Sequence, residues 1–139
     1  MRPAAAARPV YEAVTRSVTV RVRPTFLPNE SDPRENRYVW GYLVEIENRG
    51  DETIQLRTRH WIITDALNRS EEIRGEGVVG EQPTLKPGEA WRYNSFCPLP
   101  TPSGAMRGSY QMLTDGGEMF DVAIPEFSLH LPDATKRMN

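Results

Sequence analysis

Hydrophobic residues alternate with polar ones in short runs along this chain. In "VTRSVTVRVR", residues 14–23, Val18, Val20 and Val22 share one parity, and Thr, Arg and Arg occupy the positions between and after them. A period of two is typical of a strand with one buried face. We therefore predict a strand over residues 14–23 with the three valines in the core.

A second pair of alternating runs follows a proline-rich polar segment, residues 24–36, that we predict to be a loop. "RYVWGYLVEIENRG" and "TIQLRTRHWIITD" flank a turn signal at residues 48–51, which predicts one long antiparallel hairpin. In the second run, Ile54 and Leu56 share one parity whereas Trp61 and Ile63 share the other. A β-bulge, or burial of both faces near Trp61, would account for the change.

Further short segments, "SEEIRG", "VGEQPTL", "EAWRYNSFC", "GSYQMLT" and "EMFDVAIPEFSLHL", continue the pattern, with turn signals after the second and the fourth. The sequence contains no capped apolar stripe at helical period. Seven or more short strands in 139 residues predict an all-β fold, a β-sandwich of two antiparallel sheets. We expect one domain over residues 11–132, with disordered tails at residues 1–10 and 133–139.

A glycine motif stands between two of these segments. Gly75, Gly77 and Gly80 spell G-x-G-x-x-G, the pattern of dinucleotide-binding loops, but Pro83 and the proline at 87 exclude the helix that such a loop requires. Two interpretations remain. The glycine N–H groups could form an anion-binding nest, with Arg74 beside them to pair a phosphate. Alternatively, the glycines supply positive φ angles, a bulge or a close strand approach.

Charge and cysteine content limit the function classes. With 17 basic and 19 acidic residues the net charge is -2, which argues against strong nonspecific nucleic-acid binding. One cysteine excludes an internal disulfide framework and a multi-thiolate zinc site. The first ten residues lack a secretory apolar region, and no stretch approaches the length of a membrane span. We expect a cytoplasmic protein without membrane attachment.

Catalytic and metal-ligating residues are sparse. Cys97 could act as a nucleophile only beside a base, and His60 and His130 lie on other predicted strands, so the thiol reads as a small buried hydrophobe. His60, Asp65 and the pair Glu71–Glu72 are candidate metal ligands, but their spacing matches no metal motif, and a solvated acidic edge is the alternative. We predict no catalytic residue, no cofactor and no metal site.

A cluster of arginines surrounds one tryptophan. Arg57, Arg59 and Trp61 lie on one predicted strand, and such groupings are typical of interface hot spots. An exposed strand with charges at a sheet edge would look the same. We predict a partner-binding face made by these three residues.

Several ordered segments resemble the ApaG family. They are "RHWIITDALN", "EEIRGEGVVGEQPTLKPGE", "GAMRGSYQML" and "FDVAIPEFSL", and the likeness runs from about Tyr11 to Leu131. The resemblance implies a fold similar to immunoglobulin or fibronectin type III domains and implies no known reaction. Bacterial members are often encoded beside a diadenosine tetraphosphate hydrolase and a ribosomal RNA methyltransferase, and are linked to cobalt tolerance and magnesium efflux. Related eukaryotic domains look like adaptor modules.

Together these observations predict a noncatalytic ApaG-type binding or adaptor module with a protein partner, tied to cobalt and magnesium homeostasis. The alternative is nucleotide or pyrophosphate binding, of a dinucleoside polyphosphate for example, at Gly75, Gly77, Gly80 and Arg74, with weak phosphohydrolase activity as a variant. Exposed sheet edges also make a homodimer plausible.

Overall fold

Within residues 10–132, nine strands make up the fold. The structure is a computed structural model that describes residues 10–132, so the tails predicted at 1–10 and 133–139 lie outside the described residues except for Val10. The strands are β1 (Tyr11–Thr15), β2 (Val18–Phe26), β3 (Tyr38–Asn48), β4 (Ile54–Asp65), β5 (Ser70–Glu76), β6 (Thr84–Leu85), β7 (Ala90–Leu99), β8 (Ser103–Thr114) and β9 (Met119–His130). Two 3-10 turns, Pro28–Glu30 and Pro33–Glu35, lie in the predicted loop. Within residues 10–132, no helix is long and apolar enough to cross a membrane.

The strands form two antiparallel sheets packed face to face. Sheet 1 has the order β1-β2-β3-β7, and sheet 2 has the order β5-β4-β8-β9, with β6 also paired to β4 beyond the end of β5. Alternating side chains from both sheets fill the space between them and include the fully buried Trp40, Tyr110 and Phe127. The predicted all-β sandwich, of the immunoglobulin and fibronectin type III kind, is confirmed.

The prediction of one strand over residues 14–23 is wrong, because the chain reverses at Arg16 and Ser17. These residues have φ angles of 47° and 67° and connect β1 to β2. Positive φ at both central residues is the requirement of a type I′ hairpin turn, and Arg and Ser give no sequence signal for it. The core parity is nevertheless confirmed, since Val18, Val20 and Val22 are buried.

The predicted β3–β4 hairpin is also wrong, because the two strands belong to different sheets. β3 pairs with β2 and β7, whereas β4 pairs with β5, β6 and β8. Buried Asn48 directs the crossing: its Nδ2 donates to the carbonyls of Glu52 at 2.7 Å and Leu85 at 3.0 Å, and its Oδ1 accepts from Gly50 N at 3.0 Å. The two apolar faces therefore meet across the core instead of lying side by side.

The change of parity in β4 is a β-bulge, one of the two explanations that the sequence allowed. The pairing of β4 with β8 shifts register between Leu56 and Thr58, which leaves Arg57 as the extra residue. Before the bulge Ile54 and Leu56 are buried, and after it Trp61 and the residue two further on are buried. The bulge therefore turns Arg59 toward the inner face of sheet 2.

The two sides of the sandwich differ. On one side, called here the closed side, β9 packs against β1 and β2, and Tyr11 contacts Phe127 with ring centroids 6.1 Å apart. On the other, called the open side, the edge strands β5 and β7 face each other. Each of these two strands pairs on only one flank within residues 10–132, β5 with β4 and β7 with β3. Their unpaired flanks border a cleft between the two sheets.

Candidate functional site

A cleft of about 490 Å³ separates the two sheets on the open side. One wall consists of Arg59, Trp61 and Ile63 from β4 with Glu71 and Ile73 from β5. The facing wall consists of side chains from β3 and β7: Tyr42, Tyr93, Ser95 and Cys97. A concave, mostly apolar space of this size with a few polar groups is typical of ligand and side-chain binding sites in proteins.

Exposed hydrophobic side chains border this cleft. Phe96 is 64% exposed, Val79 is 59% exposed and Ile73 is 37% exposed, and all three line the opening. Scattered hydrophobic residues on a surface need no explanation, whereas several around one concave site indicate contact with another molecule. We refer to Ile73, Val79 and Phe96 as the rim.

Arg59 supplies the positive charge of the cleft. Its Nη1 donates to the carbonyls of Glu76 at 2.9 Å and Gly77 at 2.8 Å. Within residues 10–132, no carboxylate lies within ion-pair distance of this guanidinium. A half-buried arginine without a counter-charge is costly unless another group satisfies it. The site therefore carries a positive charge that is hydrogen-bonded to the backbone and has no carboxylate partner among residues 10–132.

Because Gly75 has no side chain, it leaves room for the guanidinium of Arg59. A Cβ at Gly75 would lie 2.8 Å from Nη2 and 2.9 Å from Cζ of Arg59, so the guanidinium lies directly over the glycine backbone. The two residues are paired across β4 and β5. The first glycine of the motif therefore positions an arginine of the protein itself.

Glu71 lies at the opposite end of the same wall. Along the inner face of β4 and β5, the paired positions run from Arg59 and Gly75, through Trp61 and Ile73, to Ile63 and Glu71. Four residues of strand span about 13 Å, so a positive and a negative end are separated by an apolar middle. Any segment that lies along β5 therefore faces a positive group at one end, an apolar middle and a negative group at the other end.

The other two glycines have backbone roles. Gly77 and Gly80 have φ angles of 63° and 81°, and a Cβ at Gly77 would lie 2.4 Å from the carbonyl oxygen of Glu81. The N–H groups of Gly77, Val78 and Glu81 donate to the carbonyls of Arg57, Glu81 and Val78 at 2.9, 2.9 and 2.8 Å. The structural interpretation of the motif, positive φ and close approach, is confirmed. Pyrophosphate binding there stays a prediction.

Arg74 lies away from the cleft. It is paired with His60 across the strands on the outer face of sheet 2, and its Nη2 contacts Glu72 Oε1 at 3.2 Å. Arg74 and, to a smaller extent, His60 hold the pKa of Glu72 below its ordinary value by hydrogen bonding. Arg74 and Arg59 therefore lie on opposite faces of sheet 2, and only Arg59 lies over Gly75 among the described residues.

The predicted partner-binding face of Arg57, Arg59 and Trp61 needs correction. Trp61 is only 4% exposed and contacts Tyr42 and Phe127, with ring centroids 5.5 and 6.0 Å apart, so it belongs to the core and forms the floor of the cleft. Arg57 lies in the bulge, where its carbonyl accepts from Gly77 N and its buried Nε has no hydrogen-bond partner among the described residues. Of these three residues, Arg59 is the one that brings a charged group to the cleft.

Cys97 is buried in the wall of the cleft, as the sequence predicted. Desolvation raises the pKa of its thiol to about 11, so the thiol is protonated at neutral pH. Neither histidine lines the cleft. Burial also raises the pKa of Tyr42 and Tyr93, and the hydroxyl of Tyr93 hydrogen-bonds that of buried Tyr110. These neutral groups are hydrogen-bonding and packing elements.

The candidate metal ligands separate in the structure. His60 Nε2 lies 3.5 Å from Glu72 Oε1 on the outer face, whereas Glu71 faces the cleft. Asp65 accepts from the N–H groups of Leu67 and Arg69, and hydrogen bonding from Arg69 lowers its pKa. In the part of the chain that the structure describes, no three His, Cys, Asp or Glu side chains form a group that could hold a metal ion.

Sequence reasoning did not find the rim. Phe96 occupies the same parity of β7 as the exposed Arg92 and Asn94. An aromatic residue on the polar parity of a strand was therefore a detectable signal. Val79 and Ile73 gave no comparable signal. Their place at the cleft follows from the position of β5 opposite β7 and from the path of the chain after β5, and neither can be read from local sequence.

Comparison with known proteins supplies the family context. The model of the ApaG domain matches residues 28–114. A Caulobacter vibrioides protein named ApaG is 64% identical over 129 residues, covering 93% of this chain and 92% of that protein. A Rhodospirillum centenum ApaG is 59% identical over 130 residues, covering 94% of this chain and 100% of that protein. A crystal structure from Bordetella pertussis, of a protein named ApaA, has a TM-score of 0.81 and 47% identity, covering 90% of this chain and 97% of that one.

Proposed function

The chain belongs to the ApaG domain family, and we propose that it is a noncatalytic binding module that holds a protein partner at the open side of its sandwich. The observation that carries this proposal is the apolar cleft bordered by Ile73, Val79 and Phe96. Fully desolvated apolar contacts at the centre of an interface dominate binding free energy, and a cleft between two sheet edges provides such a centre. The proposal keeps the cytoplasmic location expected from the sequence.

The chemistry of the cleft supports binding more than catalysis. Its thiol is held in the protonated form, its tyrosine hydroxyls have raised pKa values, and its arginine is bonded to backbone carbonyls. A nucleophilic reaction would require a group activated by a neighbouring base. The same groups are well suited to receive an apolar side chain beside an anionic group.

Matched serine substitutions test the proposal. Phe96→Ser removes a rim side chain that is 64% exposed, and Val14→Ser removes a side chain on the closed side that is 61% exposed. Each protein is immobilised and incubated with the same native lysate, and captured proteins are quantified by mass spectrometry. We expect a partner recovered by wild type and Val14→Ser to be lost with Phe96→Ser. Equal recovery by all three proteins would contradict binding at the rim.

A role in cobalt and magnesium homeostasis would then be indirect, through the partner. A metal that binds only the folded state raises the melting temperature. We expect no change in the melting temperature with millimolar cobalt or magnesium. A concentration-dependent rise that His60→Ala abolishes would instead indicate a direct metal site on the outer face of sheet 2.

Dinucleoside polyphosphate binding at Gly75, Gly77, Gly80 and Arg74 is the weaker proposal. The N–H groups of Gly77, Val78 and Glu81 already donate to carbonyls, and Arg74 is already paired with Glu72. Calorimetric titration with a dinucleoside polyphosphate at millimolar concentration is the test. We expect no heat of binding, and a saturable signal lost in Arg74→Ala would favour the phosphate ligand.

A further inference from the structure

We infer that the free edge of β5 pairs antiparallel with β5 of a second copy of this chain, about a two-fold axis at Ile73, and that Glu71 of each copy supplies the carboxylate that Arg59 of the other lacks. This inference goes beyond the proposed partner binding. The dimer would cover Ile73 and leave Val79 and Phe96 for the partner.

The backbone of β5 can accept another strand. β5 pairs with β4 on one flank only within residues 10–132. Gly77 N donates toward β4, to Arg57 O, and the direction of N–H and C=O groups alternates along a strand. Glu72 and Arg74 therefore present their backbone groups at the free edge. In the dimer these residues would form the hydrogen-bonded pair, and Ile73 would lie opposite its own copy in a close, non-hydrogen-bonded pair.

The inner face of β5 is self-complementary about Ile73. Antiparallel pairing centred there places Glu71 of one copy opposite Gly75 of the other. Gly75 is the residue over which the Arg59 guanidinium lies, with a Cβ position only 2.8 Å from Nη2. The symmetric contact brings two exposed carboxylates to two half-buried arginines that have no carboxylate partner of their own among the described residues. An opposite charge offsets the cost of enclosing a charged group at an interface when further hydrogen bonds are present, as Arg59 has to Glu76 and Gly77.

The outer face of β5 is self-complementary about the same centre. Glu72 and Arg74 lie one residue to either side of Ile73, so each faces its opposite in the second copy. Within one chain they already contact each other at 3.2 Å, and their side chains are 54% and 70% exposed. Directly opposed opposite charges stabilise a strand pair, whereas opposed like charges destabilise it. A shift of two residues would place Glu72 opposite Glu72, so the charges also select the register.

Charged edge strands usually prevent association, because a random neighbour meets mismatched charges. Here the charges of both faces match under one symmetry operation, which favours a second copy over an unrelated strand. Isologous pairing of this kind closes as a dimer and does not propagate. Sheet 2 would then continue across two copies, with the two clefts on the same side.

Charge reversal with restoration tests the inference. Wild type, Arg74→Glu and the double variant Glu72→Arg with Arg74→Glu are compared by sedimentation equilibrium over a range of protein concentrations. We expect a wild-type dimer, a dissociation constant at least tenfold higher for Arg74→Glu, and recovery in the double variant, because exchanging the two charges restores complementarity. Glu71→Gln should also weaken the dimer. It tests the contact with Arg59 without changing the outer face.

Val14→Ser serves as the control, because its side chain lies on the closed side and should leave the dimer unchanged. Circular dichroism of each variant checks that the fold is retained. A wild-type chain that is monomeric at millimolar concentration overturns the inference, as does a dimer unaffected by Arg74→Glu. Neither result bears on partner capture by Phe96, so failure of the dimer and failure of the proposed function are distinguishable.

Discussion

The closed and open sides of this sandwich have the same architecture and different chemistry. On the closed side, side chains connect the edges: Arg16 contacts both carboxylate oxygens of Glu118 at 2.9 and 3.1 Å and lies over the ring of Phe120 at 4.4 Å. Thr15 Oγ1 also accepts from Ala123 N at 3.1 Å. On the open side, the corresponding edges enclose a cleft with an apolar rim and with Arg59, which has no carboxylate partner among the described residues. A β-sandwich has two pairs of edges, and this one connects one pair through side chains and leaves a cleft between the other pair.

The largest loss of stability is expected at Trp61, which forms the floor of the cleft and also belongs to the core. Trp61→Ala removes a buried indole that contacts Tyr42, Tyr110 and Phe127. We expect the free energy of unfolding to fall by about 3–5 kcal/mol, since removal of a large aromatic side chain leaves a cavity. Urea denaturation measures it. Phe96→Ala at the rim is the comparison and should change stability by about 0.5 kcal/mol or less.

The next largest effect is the difference in stability loss between alanine substitutions at two glycines that follow β5. Gly77→Ala combines positive φ with a Cβ 2.4 Å from the Glu81 carbonyl, whereas Gly80→Ala has positive φ and nothing within 4 Å. We expect a loss of about 2–4 kcal/mol at Gly77, from backbone strain and overpacking together, and about 1 kcal/mol at Gly80. Thermal and urea denaturation of both variants would show it. Equal losses would mean that contact with Glu81 contributes nothing.

The smallest expected effect concerns the link across the closed side. Hydrogen bonding from Arg16 lowers the pKa of Glu118 from its ordinary 4.5. A lowered carboxyl pKa stabilises the fold above the unfolded-state value, and this contribution disappears as the pH falls through the folded-state value. We therefore expect Arg16→Ala to lower the urea midpoint slightly at pH 6, and the difference from wild type to shrink as the pH falls below 4.5 and Glu118 becomes protonated. A difference that grows on acidification would contradict the ion-pair account.

Much of the fold follows from local patterns in the sequence. The alternation of Val18, Val20 and Val22 identified a core face, and the parity change before Trp61 indicated either a bulge or burial of both faces, of which the bulge is present at Arg57. Proline at 83 correctly excluded a helix after the glycine motif. These features depend on near neighbours in the chain, which is why a single sequence carries them.

The features that sequence reasoning missed depend on contacts between distant residues or on unusual backbone angles. Arg16 and Ser17 turn the chain with positive φ although neither residue type favours it. Hydrogen bonds from Asn48 to the carbonyls of Glu52 and Leu85 stabilise the connection that leads from β3 to β4 in the opposite sheet. The cleft exists because β5 and β7, separated along the chain, border the same gap. Arg59 was selected from the sequence, but its position over Gly75 required the pairing of β4 with β5.

The most direct test of the open side as the binding side is photo-cross-linking in living cells. A photoreactive amino acid replaces either Val79 at the rim, which is 59% exposed, or Val14 on the closed side, which is 61% exposed. Because the two side chains are similarly exposed, a difference in cross-linking between them reflects their location and not their accessibility. The account predicts a discrete cross-linked protein adduct from position 79 that Phe96→Ser abolishes, and no such adduct from position 14. The same adducts from both positions, or an adduct from position 14 alone, would contradict it.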